Sequence, residues 1–498
     1  MSQVGPNRPT YGGWVRPRSP GIGRLGLIPS LIAGGGLILA LLSLLVTGPL
    51  VAVSVLAVAV AAAGLTIRPA IGPSVGAAIV TRVAWWRTRS RRAHQFRGGA
   101  FARNGSGAMR LPGVAASTTT MTGHSGHGER FGVVVRRTSN LYTVVFRCRA
   151  DGDALVDTDI VDQWVAGWGS SLVMFAHEPG LAGVTVIVDT APDPGTLLAA
   201  EVHGNADPHA PELARSVMST IVDTFPRGSS ENTAYVALSY SAVGVSRRSR
   251  KPEDVIVEIG RRVQSVIDAL GFAGAGTVEP LTEHELAEVV RVAYDPACAV
   301  DLAEARSETQ ETDLTWAEAG PHAAQESWDS YRHDSGRSIT WAMTTPASGA
   351  VHSDVLTPLL APHSDFVRKR VAVIYRPHGP EQARRIAETD VQTALFTAQT
   401  KGRVTASANA RARATQRAAD EVADGAQMTR FAVMVTVTVD AEDDLAQAAT
   451  TAENLAATSR LRLRRCYGTQ AAAFAATLPL GFLPWRHTTV PDSIRENL

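Results

Sequence analysis

Two apolar stretches, Leu25–Val46 (LGLIPSLIAGGGLILALLSLLV) and Leu50–Ile67 (LVAVSVLAVAVAAAGLTI), are separated only by Thr47-Gly48-Pro49. No charged side chain occurs between Arg24 and Arg68. Each stretch is near the ~20 residues that a helix needs to cross ~30 Å of hydrocarbon. Backbone polar groups inside lipid must be paired within the segment, so such runs are read as helices. The Gly-Pro break predicts a tight transmembrane hairpin.

The flanks orient it. Residues 1–128 contain 13 arginines and no Asp or Glu; of the 48 Lys and Arg in the chain, 35 remain beyond that point against all 47 acids, a balance of about −12. Arginines beside a membrane segment are retained on the cytoplasmic side, and the connecting turn has none, so both termini are expected inside. A cleaved signal peptide is the competing reading. It is disfavoured by a basic lead of more than 20 residues and by a second apolar segment directly after the first.

Val75 to Phe96 reads as a third helix that starts apolar and ends in Trp85-Trp86-Arg87-Thr88-Arg89-Ser90-Arg91-Arg92. Trp rings favour the headgroup level, and each nearby Arg contributes about 1 kcal/mol of attraction to anionic lipid. Trp85, Trp86, Arg87, Arg89, Arg91 and Arg92 are therefore the candidate membrane-interface residues. A nucleic-acid patch is the sharper reading of the same cluster, but beside a membrane helix the topology signal is favoured, and direct contact with nucleic acid is not expected.

The remainder alternates candidate strands and helices, which favours layered α+β architecture. Residues 101–128 are Gly, Ser and Thr rich and are read as a linker. Residues 129–298 form a first expected domain, with strands at Phe131–Arg136, Tyr142–Arg149, Val184–Asp189 and Asn232–Ser241 and helices at Thr158–Ala176, Pro211–Phe225 and Glu253–Leu270. Residues 299–337 turn polar and are read as a second linker. Residues 338–498 form a second expected domain, in which Phe431–Val439 alternates cleanly and Asp440 is the expected N-cap of the next helix. The strand, helix, strand order at Phe431 to Tyr467 is that of a ferredoxin-like half. The expected fold class is thus a membrane-anchored α+β protein: residues 1–100 carry the tail, hairpin and basic helix, and a cytoplasmic body holds two partly ferredoxin-like domains.

Chemical motifs are weak. A phosphate-binding P-loop needs Gly-Lys-Ser/Thr, and Lys251, Lys369 and Lys401, the only lysines, follow Arg250, Arg368 and Thr400. Gly21, Gly23 and Gly26 spell a dinucleotide fingerprint with no strand before it. Gly72-Pro73-Ser74-Val75-Gly76 spells a nucleophile elbow beside a membrane helix, where a strand, turn and helix are required. His124, His127 and Glu129 sit among linker glycines, which disfavours a metal site. Cys148, Cys298 and Cys466 make no C-x-x-C pair and are read as reduced thiols. No catalytic, cofactor or metal residues are assigned, and no enzyme activity is expected.

Two stretches resemble a known family. Thr10-Tyr11-Gly12-Gly13-Trp14-Val15-Arg16-Pro17-Arg18, ahead of the hairpin, resembles the start of an actinobacterial membrane family found with integrative and conjugative elements. Arg417 to Leu480 resembles the rest of that pattern: Ala419-Asp420-Glu421, Gly425, the Phe431 strand, the Asp440 helix, then Gly468-Thr469-Gln470, Phe474 and Leu478-Pro479-Leu480. The closing order is also similar to the non-motor amino-terminal domain of conjugation and type IV secretion ATPases, and the hairpin resembles the small PrgI-type membrane subunit. The resemblance implies a non-catalytic inner-membrane subunit of a type IV secretion or conjugative DNA-transfer apparatus, in a hetero-oligomeric complex with the lipid bilayer, a separate ATPase and other membrane subunits. An EccE-like subunit of type VII secretion shares the architecture, and a membrane-tethered enzyme such as a transferase is the third reading.

Overall fold

The computed structural model describes the chain apart from residues 1–8, 13, 15–26, 67–73, 100–109, 151, 153–155, 194–195, 208, 225–229, 246–250, 310–311, 348, 401–405, 424, 426 and 487–498. It divides into two compact units, one of Met1–Tyr11, Arg92–His378 and Thr429–Leu483, the other of Gly12–Arg91, Gly379–Met428 and Pro484–Leu498.

In the second unit, α1 (Leu27–Val46) and α2 (Pro49–Thr66) form the expected pair of apolar helices, and α3 (Val75–Ser90) follows. Thr47 and Gly48 close the turn by donating their backbone N–H groups to the Ser43 carbonyl. Gly48 takes φ +101°, a left-handed conformation that glycine adopts without steric cost. Pro49 then opens α2, where a missing N–H has no consequence.

The first unit is built on one sheet. In chain order its elements are β1 (Gln95–Arg97), β2 (Thr118–His124), β3 (Arg130–Arg136), β4 (Leu141–Arg149), α4 (Thr158–His177), β5 (Leu181–Pro192), α5 (Thr196–Gly204), α6 (Glu212–Thr224), β6 (Ser230–Ser241), α7 (Ala242–Val245), α8 (Pro252–Gly260), α9 (Val263–Phe272), β7 (Thr277–Pro280), α10 (Glu283–Tyr294) and α11 (Ala299–Thr309). There follow β8 (Ala323–Glu326), β9 (Tyr331–His333), β10 (Gly336–Thr345), α12 (Thr357–Leu360) and β11 (Arg368–Pro377). The helices α13 (Pro380–Thr400) and α14 (Ala406–Ala423) belong to the other unit, and the sheet resumes with β12 (Thr429–Asp440), α15 (Leu445–Thr458), β13 (Arg462–Arg465) and α16 (Gln470–Ala476). The described strands run in the order β1-β8-β9-β10-β12-β11-β5-β6-β4-β3-β2, with β13 also on β10 and β7 also on β4. Every pairing is antiparallel.

This order contains a structural repeat. The strands β7-β4-β6-β5 and β13-β10-β12-β11 have the same sequence of neighbours, the fourth, first, third and second strand of each half. A helical connection lies between the first and second strands and between the third and fourth in both. The registers agree as well: Phe146 faces Val236 and Pro280, and Trp341 faces Val435 and Arg465. The halves join edge to edge through β5 and β11, whose register is symmetric about the pair Ile187 and Ala372. Even a buried hydroxyl pair is repeated. Thr143 and Ser239 lie 3.0 Å apart, oxygen to oxygen, and Ser338 and Thr438 lie 2.8 Å apart at the equivalent positions.

Alternation along each strand supplies two buried faces. On one, Val133, Val144, Phe146, Val184 and Leu238 pack with Phe175 of α4 and with Val255, Ile259 and Val266 of α8 and α9. Its continuation beneath the second half packs Trp341, Val437 and Val439 against Ala448, Ala449 and Ala452 of α15. On the other face Val134, Val145, Ile187, Ala237 and Ala372 meet Leu286 and Val290 of α10, Phe474 of α16 and the closing residues Leu478 and Leu480. Both faces are covered, so the strands read as apolar runs more than as strict alternation.

Several expectations are corrected. Thr118 to His124, expected inside a linker, is β2, because four β-branched threonines extend readily on a sheet edge and Trp316 Nε1 donates to the Thr118 carbonyl at 3.2 Å. The expected linker 299–337 holds α11, β8, β9 and the first residues of β10. The regions 129–298 and 338–498 share one continuous sheet through the β5 and β11 ladder. The helix expected over Glu253–Leu270 breaks into α8 and α9. Asp440 is still in β12, opposite Gly336, and Asp444 caps α15 by accepting from the N–H groups of Ala446 and Gln447.

Candidate membrane interface

The helices α1 and α2 meet through their smallest residues. A side chain at Gly36 would run into Ala59, and Ala40, Ala52, Ala59 and Ala63 are buried in the hairpin. Close approach of this kind lets dispersion contacts hold two helices where no hydrophobic driving force exists between them. The outward surface is large and aliphatic: Leu31, Leu37, Leu41, Leu45, Leu50 and Val58 are all exposed. Both helices are long and apolar enough to cross a membrane, each with a mean hydropathy of 2.2 over 18 residues.

Ser74 begins α3 as its N-cap, accepting from the Ala77 N–H at 3.2 Å. Gly76 sits where a side chain would meet the Leu65 carbonyl, so the first turn of α3 packs on the last turn of α2. The apparent nucleophile elbow is therefore a capping serine followed by a contact glycine. Gly72 and Pro73 lie outside the described residues, as do Gly21, Gly23 and Gly26.

Of the six candidate interface residues, Trp85, Trp86, Arg87 and Arg89 lie on α3. Arg91 is its C-cap, and Arg92 takes φ +55° in the turn that leads to β1, so the helix ends short of the expected Phe96. None of the residues of α3 is buried. With about 100° between successive residues, Val75, Ile79, Val83 and Trp86 share one arc, and all four are exposed. Arg82 and Arg89 border that arc on one side and Arg87 on the other. Trp85 stands on a different face and is half-buried. The two tryptophans thus do not form one belt. Arg82, not among the candidates, completes the cationic border, and its spacing of seven from Arg89 was the signal for it.

A second polar set lies inside the body, at the β5 and β11 seam. Arg368 donates to Asp189 at 2.6 Å. Arg370 faces Asp189 in register, is 1% exposed and stacks over Phe474 with 4.6 Å from the guanidinium carbon to the ring centre. Burial pushes its guanidinium down to about 10. Nearby, Arg147 donates to Glu285 at 2.7 Å, and Arg291 bridges Asp295 and Asp334 at 2.7 and 3.1 Å. Glu288 is held by Arg306 and Thr312. Each of these carboxylates rests on an arginine, which offsets part of the cost of withdrawing its charge from water. Burial pushes the Cys148 thiol up to about 12 and the Cys298 and Cys466 thiols up to about 11, which disfavours the reactive thiolate. Among the described residues no group of three or more His, Cys, Asp or Glu is placed to hold a metal ion.

The closing segment that carries the Leu-Pro signature is a buried strap. Gln470 accepts from the Thr340 N–H and donates to its carbonyl, at 2.8 and 3.2 Å. Thr477 lies 2.9 Å from Thr436, and Phe482 covers the Arg136 guanidinium at 4.0 Å. Gly481, at φ +64°, rests on the Thr143 and Ser239 hydroxyls where any side chain would collide with them. The motif is therefore part of the core of the sheet.

A family model described as Domain of unknown function (DUF8461) matches residues 18–75, the hairpin region. No curated protein matches the chain.

Proposed function

We propose that this chain is a non-catalytic inner-membrane structural subunit of a bacterial type IV secretion or conjugative DNA-transfer apparatus, docking a separate ATPase. The observation that carries the reading is the union of a hairpin of two apolar helices with an α+β body whose halves each follow the fourth, first, third, second strand order. That order is the one of ferredoxin-like units, and the strap with Phe474 and Leu478-Pro479-Leu480, whose sequence resembles the end of the non-motor domain, packs into the buried face of the sheet. In this reading α1 and α2 span the inner membrane, both termini lie in the cytoplasm, and the outer surface of the α+β body docks the partner proteins. A charge-free aliphatic surface of this extent is stable in hydrocarbon and is an aggregation liability in water.

Tagged purification from membranes with identification of the associated proteins tests the proposal. Recovery of a P-loop ATPase together with other membrane subunits is expected. Recovery of a partnerless monomer in gentle detergent, or of a type VII secretion complex, overturns it.

A further inference from the structure

We propose that α3 is an in-plane helix that binds the headgroups of anionic phospholipids in the cytoplasmic leaflet. The inference rests on the membrane reading of α1 and α2 and adds a ligand class to it.

At 16 residues and with Arg82, Arg87 and Arg89 inside it, α3 is too short and too charged to cross a bilayer. It is nevertheless held at a membrane end, because its first turn packs on Leu65 in the last turn of α2. Its exposed arc of Val75, Ile79, Val83 and Trp86 has the width of a face that sinks into the acyl boundary. Arginines on both borders of that arc can keep their aliphatic stems in the apolar layer and lift their charged ends to the phosphates. Arg91 extends the cationic surface to the cap, and residues 1–128 contain no Asp or Glu. Charge complementarity and continuity with the hairpin both select a lipid surface, whereas a nucleic acid would leave the apolar arc in water.

The test uses the full chain in nanodiscs of phosphatidylcholine alone and of phosphatidylcholine with phosphatidylglycerol, read by amide hydrogen exchange of Val75–Arg92. With three bordering arginines each contributing about fivefold, exchange is expected to slow on the order of a hundredfold in the anionic discs. The triple substitution Arg82→Gln, Arg87→Gln, Arg89→Gln is expected to remove that difference while Leu27–Thr66 stays protected in both discs. Equal exchange of α3 in the two discs overturns the proposal. So does protection of α3 in phosphatidylcholine discs on adding a DNA oligonucleotide or inorganic phosphate. Loss of protection across Leu27–Thr66 in both discs marks instead the failure of the membrane reading itself.

Discussion

Arg368 reaches across the junction between the two halves of the sheet and donates to Asp189 at 2.6 Å, with both side chains largely withdrawn from water. The symmetry of the junction is broken there. Through the register of β5 and β11, Asp189 corresponds to Ile374 and Arg370 to Thr185, so charge lies at one end of the seam and uncharged side chains at the other.

Removing one partner of this pair leaves the other charge buried and unpaired. Asp189→Ala is expected to destabilise the body by about 3–5 kcal/mol. The double substitution Asp189→Leu with Arg368→Met removes one of the two guanidinium groups that face the lost carboxylate, Arg370 being the other, and is expected to cost less than the single one. Urea denaturation of the three proteins measures this, and a double variant no better than Asp189→Ala would contradict it.

His333 predicts an acid sensitivity. Its Nδ1 lies 2.6 Å from the Tyr294 carbonyl and must carry the proton donated there, so Nε2 accepts from the Ser338 hydroxyl at 2.7 Å. Burial holds the imidazole down to about 4, against 6.5 for the free side chain. Between those values the unfolded chain binds the proton that the folded chain refuses. Stability is therefore complete above about pH 6.5 and falls toward pH 4, by up to about 3 kcal/mol. His333→Gln is expected to flatten that part of a stability-against-pH curve; an unchanged slope would assign the acid sensitivity to other groups.

A glycine in the strap and one in the turn before β2 separate collision from conformational cost. Gly113, at φ +58°, has open space around a would-be side chain, so Gly113→Ala carries only the left-handed penalty of about 1 kcal/mol. Gly481→Ala adds a collision with the Thr143 and Ser239 hydroxyls. It is expected to cost about 1–3 kcal/mol more, the usual cost of overpacking a core. Thermal denaturation of the two variants side by side decides the point.

The same comparison works inside the hairpin. Gly36→Val is expected to force α1 and α2 apart, whereas Gly34→Val, with nothing near it, is expected to leave them packed. Hydrogen exchange of Leu27–Thr66 in discs should quicken for the first variant only. Equal behaviour would mean that Gly36 and Ala59 do not form the helix contact.

Legibility in the sequence followed physical cause. The hairpin helices were visible because an uninterrupted apolar run has few alternatives to helix, and β12 was visible because Phe431 to Val439 alternate without a break. The helix α10 went unread although Thr282 and Glu285 form a capping box that the sequence spells. The strands β8 and β9 carry no such signal, being only four and three residues long, and β8 takes one of its two neighbours, β1, from far away in the chain. The repeat was illegible because equivalent sites hold different residues, Phe146 with Trp341 and Thr185 with Arg370, and equivalent connections differ from the 20 residues of α4 to the four of α12. The candidate interface was legible as composition, but the split of Trp85 from Trp86 depended on helical phase.

The pairing of β5 with β11 also has a mechanical meaning. Because Lys369 to Tyr375 are laddered onto Val184 to Thr190, neither half can swing about the junction without tearing main-chain hydrogen bonds. The body is thereby a girder with no elbow at its middle, and a pull delivered along the strands at one margin is carried as shear to the far margin.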